Sequence, residues 1–127
     1  MPTNAQGKDP KKEILVADDE LGFHTLFRYL LEPKGFHVVS AHDGLEALEL
    51  AQQRDFAVIF LDIHMPKMTG QEVLRQIKAI KPHQRIVMLS SGANSADVKD
   101  ETDKLGADAC FQKPFDIKDI LMIISTL

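Results

Sequence analysis

The sequence predicts an α/β fold in which helices cover both faces of a parallel sheet. Five short apolar runs alternate with helical patterns from Glu13 to the C-terminus. Three of these runs are continuously apolar, which is typical of strands that are buried on both faces. Strand–helix–strand units connect with a right-handed crossover and produce parallel sheets. Five such units predict an open, doubly wound, flavodoxin-like (βα)5 sheet with strand order 2-1-3-4-5.

Local signals place the strands and the starts of two helices. The predicted strands are residues 14–17, 37–41, 57–61, 85–89 and, with the weakest signal, 109–111. Asp43 is followed three residues later by Glu46, and Thr69 by Glu72, so both pairs are predicted to be capping boxes. The second and third helices are therefore expected to begin directly after Asp43 and Thr69.

Apolar residues at helical spacing predict the core-facing side of the helices. The first helix carries a stripe of four such residues, Phe23, Leu26, Phe27 and Leu30. The third helix is expected to bury Val73, Ile77 and Ile80.

The last two helices have less regular patterns. The fourth, about residues 96–105, is highly charged, and Val98 and Leu105 are its strong apolar anchors. The fifth carries one stripe of Ile117, Leu121 and Ile124 and an offset stripe of Ile120, Ile123 and Leu127. The second stripe either widens the core-facing side or docks a partner.

Composition limits the possible function classes. The 127 residues are 44% hydrophobic and 27% charged, which is ordinary for one globular domain. The net charge of -4 does not indicate direct binding to nucleic acid or to a membrane. One cysteine excludes an intrachain disulfide and fits a cytoplasmic location. Residues 1–11 lack an apolar core and are predicted to be a disordered polar tail, which leaves 12–127 as the domain.

Acidic residues follow two of the predicted strands. Asp18 and Asp19 come directly after the first strand, and Asp62 ends the third. The carboxyl ends of parallel strands meet at one edge of a sheet, so these carboxylates are expected to converge. Clustered carboxylates suit a divalent cation such as Mg²⁺, and Asp62 also becomes a candidate nucleophile. The simpler alternatives are a helix N-cap for the Asp18–Asp19 pair and a turn residue for Asp62.

Two further polar residues follow the fourth and fifth strands. Ser90 could donate its hydroxyl to a phosphoryl oxygen, although spacing alone does not distinguish it from Ser91. Lys113 could bridge a carboxylate and a phosphate as a point charge. His64 is the histidine nearest the expected site, and a metal contact through its backbone carbonyl fits an oxygen-preferring ion better than one through its ring.

The ordered set of these residues resembles the receiver domain of two-component response regulators. The resemblance covers roughly residues 12–127. In chain order, it rests on the motifs Asp18-Asp19, Gly44-Leu45-Glu46-Ala47-Leu48, Asp62-x-x-Met65-Pro66-x-Met68-Thr69-Gly70, Ser90, Gly106-Ala107-Asp108 and Lys113-Pro114-Phe115. It implies a signalling module that is not an enzyme beyond its own phosphoryl transfer and autodephosphorylation. Its partner would be a sensor histidine kinase or a phosphotransfer protein.

The resemblance also implies a role for each site residue. Asp62 would be the phosphoacceptor, and Ser90 and Lys113 would contact the phosphoryl group. Mg²⁺ would be held by oxygens of four residues, Asp18, Asp19, Asp62 and His64, the last through its backbone carbonyl. The Lys113–Pro114 bond would be cis. Phosphorylation would switch a face made by the fourth helix, the fifth strand and the fifth helix, which would bind a second copy or an output domain.

The fifth strand departs from the family pattern. Receivers commonly carry an aromatic residue three positions before the lysine, whereas this chain has Cys110 there. Phe111 is adjacent, but successive strand residues point to opposite faces, so Phe111 is not expected to replace it. Cys110 is expected to be a small buried hydrophobic residue.

Two other functions fit parts of the pattern. One is a pseudo-receiver that only docks partners, which the complete set of charged site residues disfavours. The other is an aspartyl-phosphate phosphatase of the haloacid dehalogenase type. Such an enzyme places a second aspartate two residues after the nucleophile, where this chain has His64. A stand-alone domain and a receiver within a longer chain both fit the sequence.

Overall fold

The computed structural model describes residues 12–91 and 95–127, so the predicted polar tail lies outside the described residues. Strands and helices alternate along these ranges. In chain order they are β1 (Glu13–Ala17), α1 (Leu21–Leu31), β2 (His37–Ala41), α2 (Gly44–Gln53), β3 (Val58–Asp62), α3 (Gly70–Ile80), β4 (Ile86–Ser90), α4 (Ser95–Lys104), β5 (Ala109–Gln112) and α5 (Ile117–Ser125).

The strands form one parallel sheet in the order β2-β1-β3-β4-β5, which confirms the predicted flavodoxin-like topology. The register aligns their carboxyl ends. Ala17 of β1 lies beside Leu61 of β3, Asp62 lies beside Leu89, and Ser90 lies beside Gln112 of β5. The loops that follow the strands therefore share one edge of the sheet.

Side chains alternate between two apolar layers, one on each face of the sheet. Leu15 and Ala17 of β1 pack on the face covered by α2 and α3, with part of α4. Ile14 and Val16 pack on the opposite face with residues of α1 and α5. All four side chains are fully buried, which explains why β1 is continuously apolar rather than alternating.

The predicted caps form, although neither capping box is complete. The Asp43 side chain accepts a hydrogen bond from the Glu46 backbone N–H at 2.8 Å, and Thr69 accepts one from the Glu72 N–H at 3.3 Å. Glu46 accepts from the backbone N–H of His42 at 2.7 Å instead of from that of Asp43. Each helix start is thus fixed by the cap residue itself.

Two predictions about buried helix faces are wrong. Ile80 is 52% exposed, because it lies in the last turn of α3, where the sheet no longer covers the helix. Leu74 is fully buried instead. In α5 the buried residues are Ile120 and Ile124, whereas Ile117 in the first turn is 43% exposed.

The two predicted stripes of α5 therefore form one wide core-facing side. Ile120 belongs to the offset stripe and is its fully buried member, while Leu127 at the other end of that stripe is 43% exposed. Within the described ranges, no helix is both long enough and apolar enough to cross a membrane.

Leu74 and Ile80 provide a matched pair that tests the packing of α3. We expect Leu74→Ala to lower the free energy of unfolding by about 3 kcal/mol, because it leaves a cavity in the core. Ile80→Ala should cost less than about 1 kcal/mol, since that side chain is half exposed. Urea unfolding of both variants measures the difference. Equal losses would contradict the observed helix orientation.

Candidate functional site

The common carboxyl edge of the sheet brings the predicted site residues together. Asp18 directly follows β1, Asp62 and Ser90 are the last residues of β3 and β4, and Lys113 directly follows β5. Asp18, Asp62 and Ser90 are at most 3% exposed. The edge therefore holds two buried carboxylates and a buried hydroxyl residue beside a lysine.

The ammonium group of Lys113 lies among three carboxylates. Its Nζ is 2.7 Å from Asp18 Oδ2, 3.4 Å from Asp62 Oδ2 and 3.8 Å from Glu20 Oε1. The Lys113 side chain is 8% exposed, and the carboxylates of Asp18 and Asp62 are 0% and 5% exposed. These charges interact with little solvent between them, so their attraction is stronger than that of a surface pair.

The pKa values of the site reflect this crowding. Burial, and then the charge of Asp18, raise the pKa of Asp62 above its ordinary value, and Lys113 offsets this only in part. Burial opposes the charged form of Lys113, but the hydrogen bond to Asp18 and the charge of Asp62 outweigh burial and raise its pKa. An additional cation near Asp62 would therefore be stabilised.

An acidic pocket lies beside this lysine. Carboxylate oxygens of Asp18, Asp19 and Glu20 all lie within 4.8 Å of one another. Their all-oxygen donor set is the kind that Mg²⁺ prefers, so these residues fit the ion. Asp62 is not a member of this group and is connected to it through the shared Lys113 ammonium.

Asp18 and Asp19 do not cap the first helix, which was the simpler alternative to a metal site. The N-cap residue of α1 is Glu20, and its side chain makes no capping hydrogen bond. Asp18 instead accepts a hydrogen bond from the Glu20 backbone N–H through Oδ1 at 2.9 Å, while its Oδ2 faces Lys113. Both oxygens of Asp18 are thus engaged within the site.

Two glycines allow the loop after Asp62 to pack closely. A Cβ atom on Gly70 would lie 2.2 Å from the carbonyl oxygen of Asp62, and one on Gly44 would lie 2.0 Å from that of Met68. The N–H of Gly70 donates to the Ile63 carbonyl at 2.9 Å, which holds the start of α3 against the end of β3. In the same loop, the backbone N–H of His64 donates to Asp62 Oδ1 at 3.3 Å.

The structure distinguishes the two adjacent serines. Ser90 is 1% exposed at the end of β4, whereas Ser91 is exposed. The backbone N–H of Lys113 donates to the Ser90 carbonyl, which ties the loop after β5 to the end of β4. The Lys113–Pro114 peptide bond is cis, as the resemblance implied.

Sequence reasoning missed three residues that contact the site. Glu20 belongs to the acidic pocket, and its position next to two aspartates was the available signal. The ring of Phe23, which the pattern assigned to a core stripe, has Lys113 Nζ 4.1 Å from its centroid. His24 is 2% exposed, and its Nε2 donates to the Asp18 carbonyl at 2.7 Å.

Cys110 and Phe111 face opposite sides of the sheet, as strand geometry predicts. Cys110 packs with the layer of α2, α3 and α4, and Phe111 packs with that of α1 and α5. Cys110 is half-buried and hydrogen-bonds with the side chain of Thr102 in α4, which is itself fully buried. The position three residues before Lys113, where the resemblance leads one to expect an aromatic ring, therefore holds a thiol next to a hydroxyl group.

Comparison with known proteins identifies the family. The family model "Response regulator receiver domain" matches residues 14–125. The chain belongs to the response regulator receiver family. The receiver is 39% identical over 109 residues to the alkaline phosphatase synthesis transcriptional regulatory protein PhoP of Bacillus subtilis. The match covers 86% of this chain but only 45% of that protein.

The chain is also similar to a curated protein of nearly its own length and to a solved structure. Sporulation initiation phosphotransferase F of Bacillus subtilis is 31% identical, and the match covers 86% of this chain and 87% of that protein. A structure of a response regulator protein from Burkholderia pseudomallei, with a phosphorylated aspartic acid, calcium ion and citrate, has a TM-score of 0.79 at 32% identity. It covers 89% of this chain and 66% of that one. Apart from phosphotransferase F, the curated relatives that this chain matches are longer, and the chain spans about a quarter to a half of their length.

Gly70→Ala tests the close approach that positions Asp62. We expect a loss of about 2 kcal/mol in the free energy of unfolding, because the added Cβ collides with the Asp62 carbonyl. Gly22 of α1 is the matched control, since its Cβ would meet no atom within 4 Å. Gly22→Ala should stabilise the receiver by up to about 1 kcal/mol. Urea unfolding of both variants measures this, and a neutral Gly70→Ala would refute the packing.

The Cys110 thiol should react slowly at neutral pH. Burial raises its pKa, and the hydrogen bond with Thr102 offsets this only in part, so less of the reactive thiolate is present at a given pH. Alkylation by iodoacetamide, followed by intact mass, should be slower than that of a small reference thiol. Its rate should continue to rise above pH 9. If the pH dependence of the alkylation rate is the same in urea, the fold does not cause the raised pKa of Cys110.

Proposed function

We propose that this receiver is a Mg²⁺-dependent phosphoacceptor in which Asp62 is the phosphorylated residue. The observation that carries the proposal is the buried Asp62 carboxylate at a strand end, 3.4 Å from the Lys113 ammonium and beside an acidic pocket. The phosphoryl donor would be the phosphohistidine of a sensor histidine kinase or of a phosphotransfer protein.

The proposed reaction is a transfer between two nucleophiles. An Asp62 carboxylate oxygen attacks phosphorus and forms a P–O bond, while the P–N bond of the phosphohistidine breaks and its electron pair returns to the imidazole nitrogen. Such transfers depend mainly on positioning and charge neutralisation. Lys113 supplies one positive charge at the site, and the Ser90 hydroxyl donates a hydrogen bond to a phosphoryl oxygen.

Mg²⁺ supplies further charge stabilisation when it is bound. Asp18 and Asp19 would hold it together with Asp62 and the backbone carbonyl of His64, and Glu20 lies in the same acidic pocket. The raised pKa of Asp62 supports this assignment, because a nearby cation would relieve the repulsion from Asp18. The Burkholderia pseudomallei relative, which holds a phosphorylated aspartic acid and a calcium ion, supports the same chemistry.

The proposed output is a change in the surface formed by α4, β5 and α5. An acyl phosphate adds a charge of about -1.5 to -2 if it titrates like other phosphoryl groups. This change would bias the surface toward binding a second copy or an output domain, in a cytoplasmic signalling pathway. PhoP, which is named a transcriptional regulatory protein, is about twice as long as this chain and supports an output through a further domain.

Phosphorylation by acetyl phosphate tests the assignment of Asp62. With Mg²⁺ present, intact mass should show the addition of one phosphoryl group, and chelation by EDTA should abolish it. Asp62→Asn should eliminate the adduct. Asp55→Asn is the matched control, because Asp55 is exposed and pairs with Lys81 at 2.9 Å near the opposite edge of the sheet.

The outcomes separate the alternatives. An adduct that persists in Asp62→Asn would disprove the assignment of this residue. If the natural chain gains no adduct and a calorimetric titration detects no Mg²⁺ binding, a docking pseudo-receiver is favoured. Continuous hydrolysis of a generic phosphate ester would instead favour the phosphatase.

A further inference from the structure

We propose that Phe23 is a positioning residue for Lys113, and that the face of its ring holds the ammonium group at the phosphoacceptor site. This inference rests on the proposed function, because it concerns the same lysine. The Nζ atom of Lys113 lies 4.1 Å from the centroid of the Phe23 ring. A cation at this distance is attracted to the negative face of the ring.

The ring and the carboxylates act on the same ammonium group. Asp18 and Asp62 attract it from the sheet edge at 2.7 Å and 3.4 Å, and the ring covers another part of its surface. The Lys113 side chain is consequently 8% exposed. Excluding water in this way strengthens each electrostatic contact that Lys113 makes.

A neutral ring has an advantage over another carboxylate in this position. The ring stabilises the ammonium without adding a formal negative charge that would repel an incoming phosphoryl group. A further acidic partner would also compete with the phosphoryl oxygens for Lys113. The π face thus retains the lysine while leaving its charge available to the phosphoryl group.

A chain of aromatic contacts fixes the ring relative to the phosphoacceptor strand. Phe23 contacts Phe115, with ring centroids 5.7 Å apart, and Phe115 contacts Phe27 at 6.2 Å. Phe27 in turn contacts Phe60 at 4.8 Å. Phe60 is fully buried in β3, two residues before Asp62. The position of the ring is therefore coupled to the strand that carries the phosphoacceptor.

Site-specific replacement of Phe23 by increasingly fluorinated phenylalanines tests the proposal. Fluorination nearly preserves the size and shape of the ring but weakens its negative face. With acetyl phosphate and saturating Mg²⁺, the phosphorylation rate should fall stepwise, by about three- to tenfold for the fully fluorinated ring. Phe23→Leu should show a similar loss. The melting temperature and the affinity for Mg²⁺ should change little, which a role in packing alone would not explain.

Phe27 is the matched control for the fluorinated series. It belongs to the same aromatic chain and is 1% exposed, and among the described residues no cation is found over its ring. Fluorinated Phe27 should leave the phosphorylation rate unchanged. A rate that is insensitive to fluorination at position 23, or that declines equally in both series, would overturn the proposal.

A second measurement does not depend on phosphorylation. Acylation of Lys113 by a water-soluble succinimidyl ester, located by peptide mass mapping, should be at least about threefold faster in the fully fluorinated Phe23 protein. The neutral amine is the form that attacks the ester, and a weakened ring contact stabilises the unreactive ammonium form less. If the natural chain gains no phosphoryl group, the proposed function fails, and this labelling still decides the role of Phe23. Equal labelling of Lys113 in the natural and fluorinated proteins would overturn that role.

Discussion

The contact between Lys113 and two buried aspartates is the constraint on which the site depends. Asp18 and Asp62 are carboxylates that the parallel sheet brings to one edge, where burial and the charge of Asp18 disfavour the charged form of Asp62. The shared ammonium offsets this cost. Strands lie about 4.8 Å apart, so β5 is about 14 Å from β1, which is more than a lysine side chain spans. The loops after these strands must therefore bring the two groups closer, and the N–H of Lys113, which donates to the Ser90 carbonyl, holds the start of its loop beside β4.

The opposite side of the site depends on backbone contacts rather than on charge. The first residue of α3 is Gly70, and its lack of a Cβ atom lets the helix start lie against the Asp62 carbonyl. Gly44 at the start of α2 lies equally close to the Met68 carbonyl. Neither glycine has a positive φ, so the reason for glycine at these positions is close approach. The loop that carries His64 is therefore held at both ends by main-chain packing.

The sequence predicted the sheet and the convergence of the site residues because parallel strands share a carboxyl edge. An acid at the end of an apolar run thus has a defined location. Helix periodicity gives the angle of a residue around the helix axis but not whether its turn is covered. Ile80 and Ile117 have angles around the helix axis that suit burial. They are exposed because they lie in terminal turns. The contact of Phe23 with Lys113 depends on how α1 packs against a loop far along the chain, which no local pattern reports.

The fifth strand limits how a signal could travel from Asp62 to the α4–β5–α5 surface. Cys110 is on the α4 side, but a thiol has no ring that could exchange between two positions, and Phe111 points to the other face. Moving a two-state equilibrium from 1:99 to 99:1 takes about 5.5 kcal/mol of differential stabilisation. A contact between Cys110 and the buried Thr102 hydroxyl is worth only about 1 kcal/mol if it resembles an ordinary hydrogen bond. In the proposed mechanism, most of the bias must therefore come from charge at the site itself, as Lys113 and Ser90 respond to the phosphoryl group.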